Sequence, residues 1–218
     1  MTLDIGMLLY PGLTQLDLTG PFEVLHRVPD ARVHLAWKTR EPVVADSKMA
    51  ILPTTTLDDC PRLDVLFVPG GAGQTPLMKD EAVIGFLRDK GREARWVTSV
   101  CTGALLLGVA GLLEGYDAAT HWAFMDLLPR FGARPVKRRV VVDRNRVTGG
   151  GVTAGIDFGL RLAAELAGES VAKAIQLGLE YDPEPPFRCG HPDVAEPAIL
   201  ATVRARFEAT HRAREAQL

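Results

Sequence analysis

Short apolar runs alternate with amphipathic stretches along most of this chain, the pattern of buried strands followed by covering helices. Ile5 to Tyr10 reads as a first strand closed by Pro11-Gly12, and Val33 to Trp37 as a second. Between them Leu16, Phe22, Val24, Leu25 and Val28 mark a helix, with Gly20-Pro21 putting the proline in its first turn. Val65-Leu66-Phe67-Val68 is a continuous apolar run ending in Pro69-Gly70-Gly71, as expected of a central parallel strand covered on both faces. Asp80 to Ala94 is predicted helical, with Asp80 as its cap. His121 to Phe131 reads as a short helix. Val140 to Val142 and Arg146 to Thr148 flank a hairpin turn at Asp143-Arg144-Asn145. Gly149-Gly150-Gly151 leads into helices from about Thr153 to Ala167 and Ser170 to Tyr181. Those glycines permit close approach and mobility of the next helix, or simply make a tight turn.

The alternation predicts an α/β layered fold with a mainly parallel central sheet. Asp182-Pro183-Glu184-Pro185-Pro186 is the one proline-rich break. Beyond it a helix from about Ala195 to Ala216 carries Ile199, Leu200, Val203 and Phe207 on one face, the face expected to dock on the body. One domain spanning 1–218 is expected, with a core over about 3–181 and a C-terminal loop and helix over 183–218.

The segment Arg95-Trp96-Val97-Thr98-Ser99-Val100-Cys101 reads as a buried strand that stops at a cysteine. It turns at once into the apolar helix Ala104 to Val109. A thiol at such a turn sits at a helix N-terminus, where unpaired N–H groups and the dipole favour an anion. That placement lowers a thiol from about 8.5 to about 3.5–7.5, so Cys101 is expected to ionise near neutral pH. The alternative is a small buried hydrophobe.

Composition narrows the field. The chain is 47% hydrophobic and 24% charged, with a net charge of −2, which gives no electrostatic case for nucleic acid or an anionic membrane. No apolar run approaches the ~20 residues of a membrane span. Met1-Thr2-Leu3-Asp4 lacks the basic start of a signal peptide, and the three cysteines (Cys60, Cys101, Cys189) show no framework spacing. A reducing cytoplasm is expected. Cys189-Gly190-His191 offers two ligand types without a second pair, so no metal site is predicted.

In open parallel sheets ligands bind beyond the carboxyl ends of the strands. Three segments should meet there: the loop leading to Asp17, Gly70-Gly71 and Cys101. Asp17 reads either as an acid–base group or as a helix N-cap. Thr102 reads as a hydroxyl donor or a capping residue, and His121 as a partner of the thiol or a packed ring at a helix start. Lys137-Arg138-Arg139 reads as a solvated face, Cys60 as incidental, and Tyr181 with Asp182 as cover for the site or as surface.

Four motifs in order resemble the ThiJ/PfpI superfamily: Leu16-Asp17-Leu18-Thr19-Gly20-Pro21-Phe22-Glu23-Val24-Leu25, Val68-Pro69-Gly70-Gly71, Val100-Cys101-Thr102-Gly103-Ala104 and Ala119-Thr120-His121-Trp122. The resemblance covers about residues 3 to 181. It implies a flavodoxin-like three-layer sandwich, related to class I glutamine amidotransferases, with a cysteine nucleophile elbow. Asp at position 17 and Thr after the cysteine resemble the isocyanide hydratases. That subgroup implies water addition to an isocyanide through a covalent Cys101 thioimidate, without cofactor. Asp17 and Thr102 are then the catalytic partners, Gly71, Thr102 and His121 line the substrate or its developing charge, and the assembly is a homodimer built on apolar segments near the N-terminus. Three rivals are another cysteine enzyme of the fold (glyoxalase, deglycase or amidase), a redox stress protein, and the sensing domain of a regulator. Only 36 residues follow Asp182, short for a helix-turn-helix module. Thr rather than His after Cys101 counts against peptidase chemistry.

Overall fold

The structure is a computed structural model that describes residues 2–218. In chain order its strands are β1 (Leu3–Leu8), β2 (Ala31–Trp37), β3 (Val43–Val44), β4 (Ala50–Ile51), β5 (Thr55–Thr56), β6 (Val65–Val68), β7 (Trp96–Val100), β8 (Asp117–Ala118), β9 (Arg134–Pro135), β10 (Val140–Asp143) and β11 (Arg146–Gly149). The helices are α1 (Gln15–Leu25), α2 (Gln74–Leu77), α3 (Glu81–Glu93), α4 (Gly103–Val109), α5 (Ala154–Ala167), α6 (Glu169–Gly178) and α7 (Pro197–Glu215), with a 3₁₀ stretch over Trp122–Phe131.

The main sheet runs β10-β11-β7-β6-β1-β2-β5. Every pairing in it is parallel except the β10–β11 hairpin. Through β2-β1-β6-β7-β11 this is the flavodoxin-like order, and strand order reverses between β1 and β6. Helices flank the sheet: α1 packs on α5 and α5 on α6, while α4 packs against α3 and the 3₁₀ stretch. Both β6 and β7 are buried along their whole length, which accounts for the unbroken apolar run Val65 to Val68 and places Thr98 and Ser99 of β7 inside the fold.

Several expectations are corrected. The run from Ile5 to Tyr10 is wholly buried and β1 lies between β2 and β6, so it supplies no surface for a symmetric interface. Pro21 lies inside α1, not in its first turn. The helix continues past it because the proline ring packs against Gly155 of α5, where a Cβ would meet its Cδ at 2.9 Å. Ile199 on α7 is 44% exposed; the fully buried side chain of that helix is Arg214, at 2%. The two-residue strands β3, β4, β5, β8 and β9 are too short for any periodicity to announce them.

Candidate active site

Strand β7 ends where Cys101 takes φ +55°, a left-handed conformation that is strained for any residue with a Cβ. Neighbouring segments pin the turn. The Cys101 N–H donates to the carbonyls of Gly149 (3.1 Å) and Gly150 (2.7 Å), and the Thr120 hydroxyl donates to the Cys101 carbonyl at 2.7 Å. The sulfur's residue is 6% exposed at the start of α4. This is the predicted elbow.

Asp17 reaches the elbow from the first turn of α1. It caps nothing: the N-cap is Thr14, and the Asp17 side chain is fully buried, with Oδ2 accepting from the Gly70 N–H at 2.9 Å. Gly70 is required here by space, since a Cβ would lie 2.6 Å from the Thr102 nitrogen and 2.7 Å from Asp17 Oδ2. Gly71, at φ +140°, makes the turn that lets its N–H donate to Thr102 Oγ1 at 3.2 Å. Thr102 occupies the N-cap of α4 without making a cap hydrogen bond. Its Oγ1 accepts instead from Gly71 and, at 3.3 Å, from Arg214 Nη2. With both lone pairs engaged, the hydroxyl keeps its proton to donate.

Burial dominates the electrostatics. It lifts the Asp17 carboxyl from 3.8 to about 7. The Cys101 thiol is pushed well above its usual range by burial first and by the Asp17 charge second, opposed by the Thr102 N–H and Arg214. The low thiol pKa expected from the helix N-terminus alone is therefore corrected: removal from water outweighs the helix end. Asp17 and Cys101 titrate as a unit, and above about 7 the pair holds one proton. Beside them the Tyr10 phenol, donating to the Pro69 carbonyl at 2.9 Å, stays protonated because burial raises it.

His121 sits at the start of the 3₁₀ stretch, where its Nδ1 accepts from the Ala123 N–H at 3.3 Å. That bond leaves the ring proton on Nε2. Burial lowers its pKa to about 4, so the imidazole is neutral. Its ring packs on Phe207 of α7 at 4.9 Å. It makes no hydrogen bond to the thiol, so the cysteine–histidine dyad is not formed.

Arg214 is the residue that sequence reasoning missed. From the last turn of α7 its Nη2 donates to the Gly71 carbonyl at 2.9 Å as well as to Thr102, and its guanidinium lies 4.2 Å from the centre of the Phe124 ring. An arginine at helical spacing from Phe207 was the available signal, hidden by three other arginines on the same helix. Seven buried side-chain atoms lack partners among the described residues, and six of them lie in segments around the elbow: Asp17 Oδ1, both Gln74 amide atoms, Ser99 Oγ, and Arg214 Nε and Nη1.

The remaining candidates lie elsewhere. Tyr181 donates to Asp157 Oδ2 at 3.0 Å, and Arg139 of the basic run pairs with the same oxygen at 2.7 Å. Cys60 is a buried core thiol whose pKa burial raises. His191, by Cys189, contacts Asp193 at 3.5 Å; among the described residues no group of three His, Cys, Asp or Glu is placed to hold a metal ion.

Fold and site together define a flavodoxin-like α/β protein with a cysteine at a strained strand–helix elbow and a buried carboxylic acid against it. The chain belongs to the DJ-1/PfpI family, whose model matches residues 4–165. It is 57% identical over 206 residues, 94% of this chain and 90% of the relative, to isonitrile hydratase of Pseudomonas putida. It is 33% identical to the HTH-type transcriptional regulator GbdR of Pseudomonas aeruginosa over 82% of this chain, but spans only about half (51%) of the regulator. Among solved structures, a THiJ/PfpI family protein from Pseudomonas syringae superimposes with TM-score 0.97 at 43% identity, covering 100% of this chain and 90% of that one. Drosophila melanogaster DJ-1beta gives 0.76 at 25% identity, over 83% of this chain and 98% of that one.

Proposed function

We propose that this protein is an isonitrile hydratase, adding water to R–N≡C to give an N-substituted formamide with no metal or organic cofactor. The observation that carries the reading is the buried Asp17–Cys101 pair, which near neutral pH holds a single proton between a nucleophile and an acid. The likeness to the Pseudomonas putida hydratase names the substrate class.

The chemistry follows from those groups. The Cys101 proton passes to Asp17 as sulfur bonds to the terminal isocyanide carbon. Asp17 then delivers it to that carbon, giving the thioimidate Cys101–S–CH=N–R. Asp17, now a carboxylate, takes a proton from water as its oxygen adds to the same carbon, and the imine nitrogen receives that proton. Collapse breaks the C–S bond, the hydroxyl proton returns to sulfur, and HC(=O)–NH–R leaves. The Thr102 hydroxyl, oriented by the Gly71 N–H, is the donor for charge developing on the substrate. Neutral His121, through Nε2–H, lines the substrate's side of the site and takes no part in proton removal from the thiol.

The whole of 1–218 acts as one domain in this reading, supported by the return of α7 onto the elbow through Arg214. We assign it to the cytoplasm; no helix among the described residues is long and apolar enough to cross a membrane. A homodimer fits the exposed Leu177 (83%) and Phe187 (80%) around α6 and the loop after it, and light scattering reads it directly. Incubating the protein with an aliphatic or aryl isocyanide should yield the matching formamide. Turnover of methylglyoxal with no formamide from any isocyanide would replace this reading with a glyoxalase or deglycase.

A further inference from the structure

Arg214 is a cation removed from water with no carboxylate bonded to it. Among the described residues its Nη2 bonds only to the Gly71 carbonyl and Thr102 Oγ1, and its Nε and Nη1 have no partner. A guanidinium at 2% exposure needs an anion close by. The titratable and charged groups facing it or its neighbours come from every element around the elbow: Tyr10 after β1, Asp17 on α1, Asp46 after β3, Cys101 before α4 and His121 before the 3₁₀ stretch. Tyr10 keeps its proton and His121 is neutral. Asp46 accepts from the Thr14 hydroxyl at 2.6 Å, at the surface. The negative charge that remains is the one shared by Cys101 and Asp17.

We propose that Arg214 is a positioning residue of the reaction, brought from α7 to act as counter-charge to the Cys101–Asp17 pair and to orient Thr102 and the Gly71 peptide. The proposal rests on the catalytic thiol argued above. Arg214 also lies beyond the 4–165 span that the family model matches, so nothing shared by the family at large assigns it. Its placement makes α7 part of the site. The helix is anchored by Phe207 against His121, Trp122 and Phe124 and by His211 Nε2 to Asp126 at 2.9 Å, and those contacts set the depth to which Arg214 reaches. Without the guanidinium the shared negative charge faces a buried, uncompensated site, and Thr102 Oγ1 loses one of its two donors.

The test is the pH dependence of Cys101 alkylation by iodoacetamide, read beside kcat and KM for a simple isocyanide. Arg214→Gln keeps a donor for the Gly71 carbonyl and removes the charge. It is expected to move the alkylation midpoint up by about a unit and to lower kcat at least tenfold with KM little changed. Arg214→Lys, which keeps a cation, should recover most of the midpoint. An Arg214→Gln protein with the wild-type midpoint and kcat, whether or not its melting temperature falls, overturns the proposal. Should Arg214→Gln fail to fold, the lysine variant decides alone: a midpoint within a few tenths of wild type supports the role, and a full-unit rise refutes it. Alkylation needs no isocyanide, so wild-type protein that forms no formamide yet shows the midpoint shift would sink the hydratase reading and leave the counter-charge standing.

Discussion

Asp17→Asn separates the catalytic from the structural consequences of burying a carboxyl. Asn preserves size and an acceptor for the Gly70 N–H but holds no transferable proton. Formamide production should therefore fall by at least a hundredfold. The wild-type activity limb, rising with pH through about 7 as the pair loses its first proton, should vanish with it. Stability should move the other way. The Asp17 pKa is raised from 3.8 to about 7, so the folded state holds its proton while the unfolded state has released it. The stability this group contributes is complete below 3.8 and is lost as pH rises to about 7. At about 1.4 kcal/mol per unit the ceiling is on the order of 4 kcal/mol. For a chain of this size each kcal/mol moves the melting temperature by about 2–4 °C, so an Asn variant should melt several degrees above wild type at pH 8 and close to it at pH 4. Differential scanning calorimetry at both pH values, with a formamide assay at pH 8, checks the pair of outcomes. A variant no more stable at pH 8 than wild type, or one that still hydrates isocyanides at the wild-type rate, would refute the protonated, buried Asp17 on which the mechanism depends.

Two further substitutions probe the cradle. Gly70→Ala puts a Cβ 2.6 Å from the Thr102 nitrogen and 2.7 Å from Asp17 Oδ2, so the two must move apart by a sizeable fraction of an ångström. A shift of that order costs about a hundredfold in turnover, and overpacking costs about 1–3 kcal/mol of stability by thermal melt; wild-type kinetics would show that the close approach is idle. His121→Phe keeps the stack on Phe207 and loses the bond to the Ala123 N–H, at about 1 kcal/mol. It should raise KM several-fold while leaving Cys101 alkylation unchanged, and a collapse of alkylation would restore the cysteine–histidine dyad.

Much of this site is legible in residue order, because its parts terminate strands or open helices. The apolar run Val65 to Val68, stopped by Pro69-Gly70-Gly71, becomes β6 and its loop, and the Cys101 segment becomes a strand–helix elbow. The role of Asp17 is less legible, since a carboxylate ahead of Pro21 looks like a cap. Only the tertiary packing of α1 against α5 carries the helix through the proline and turns Asp17 inward. The thiol's proton affinity cannot be read from a helix N-terminus alone, because it depends on how deeply sulfur and carboxyl are buried together. Arg214 is the least legible. It lies 113 residues beyond Cys101 in the numbering, on a helix with an exposed Ile199, and nothing local tells which of its arginines turns inward.

Intact-protein mass spectrometry during isocyanide turnover tests the central claim, that Cys101 carries the substrate as a covalent thioimidate. Quenched rapidly with acid during turnover, the wild-type protein should gain the mass of one isocyanide, mapped to the peptide containing Cys101. Cys101→Ala should show neither adduct nor formamide. Near-normal formamide production by Cys101→Ala would contradict the account.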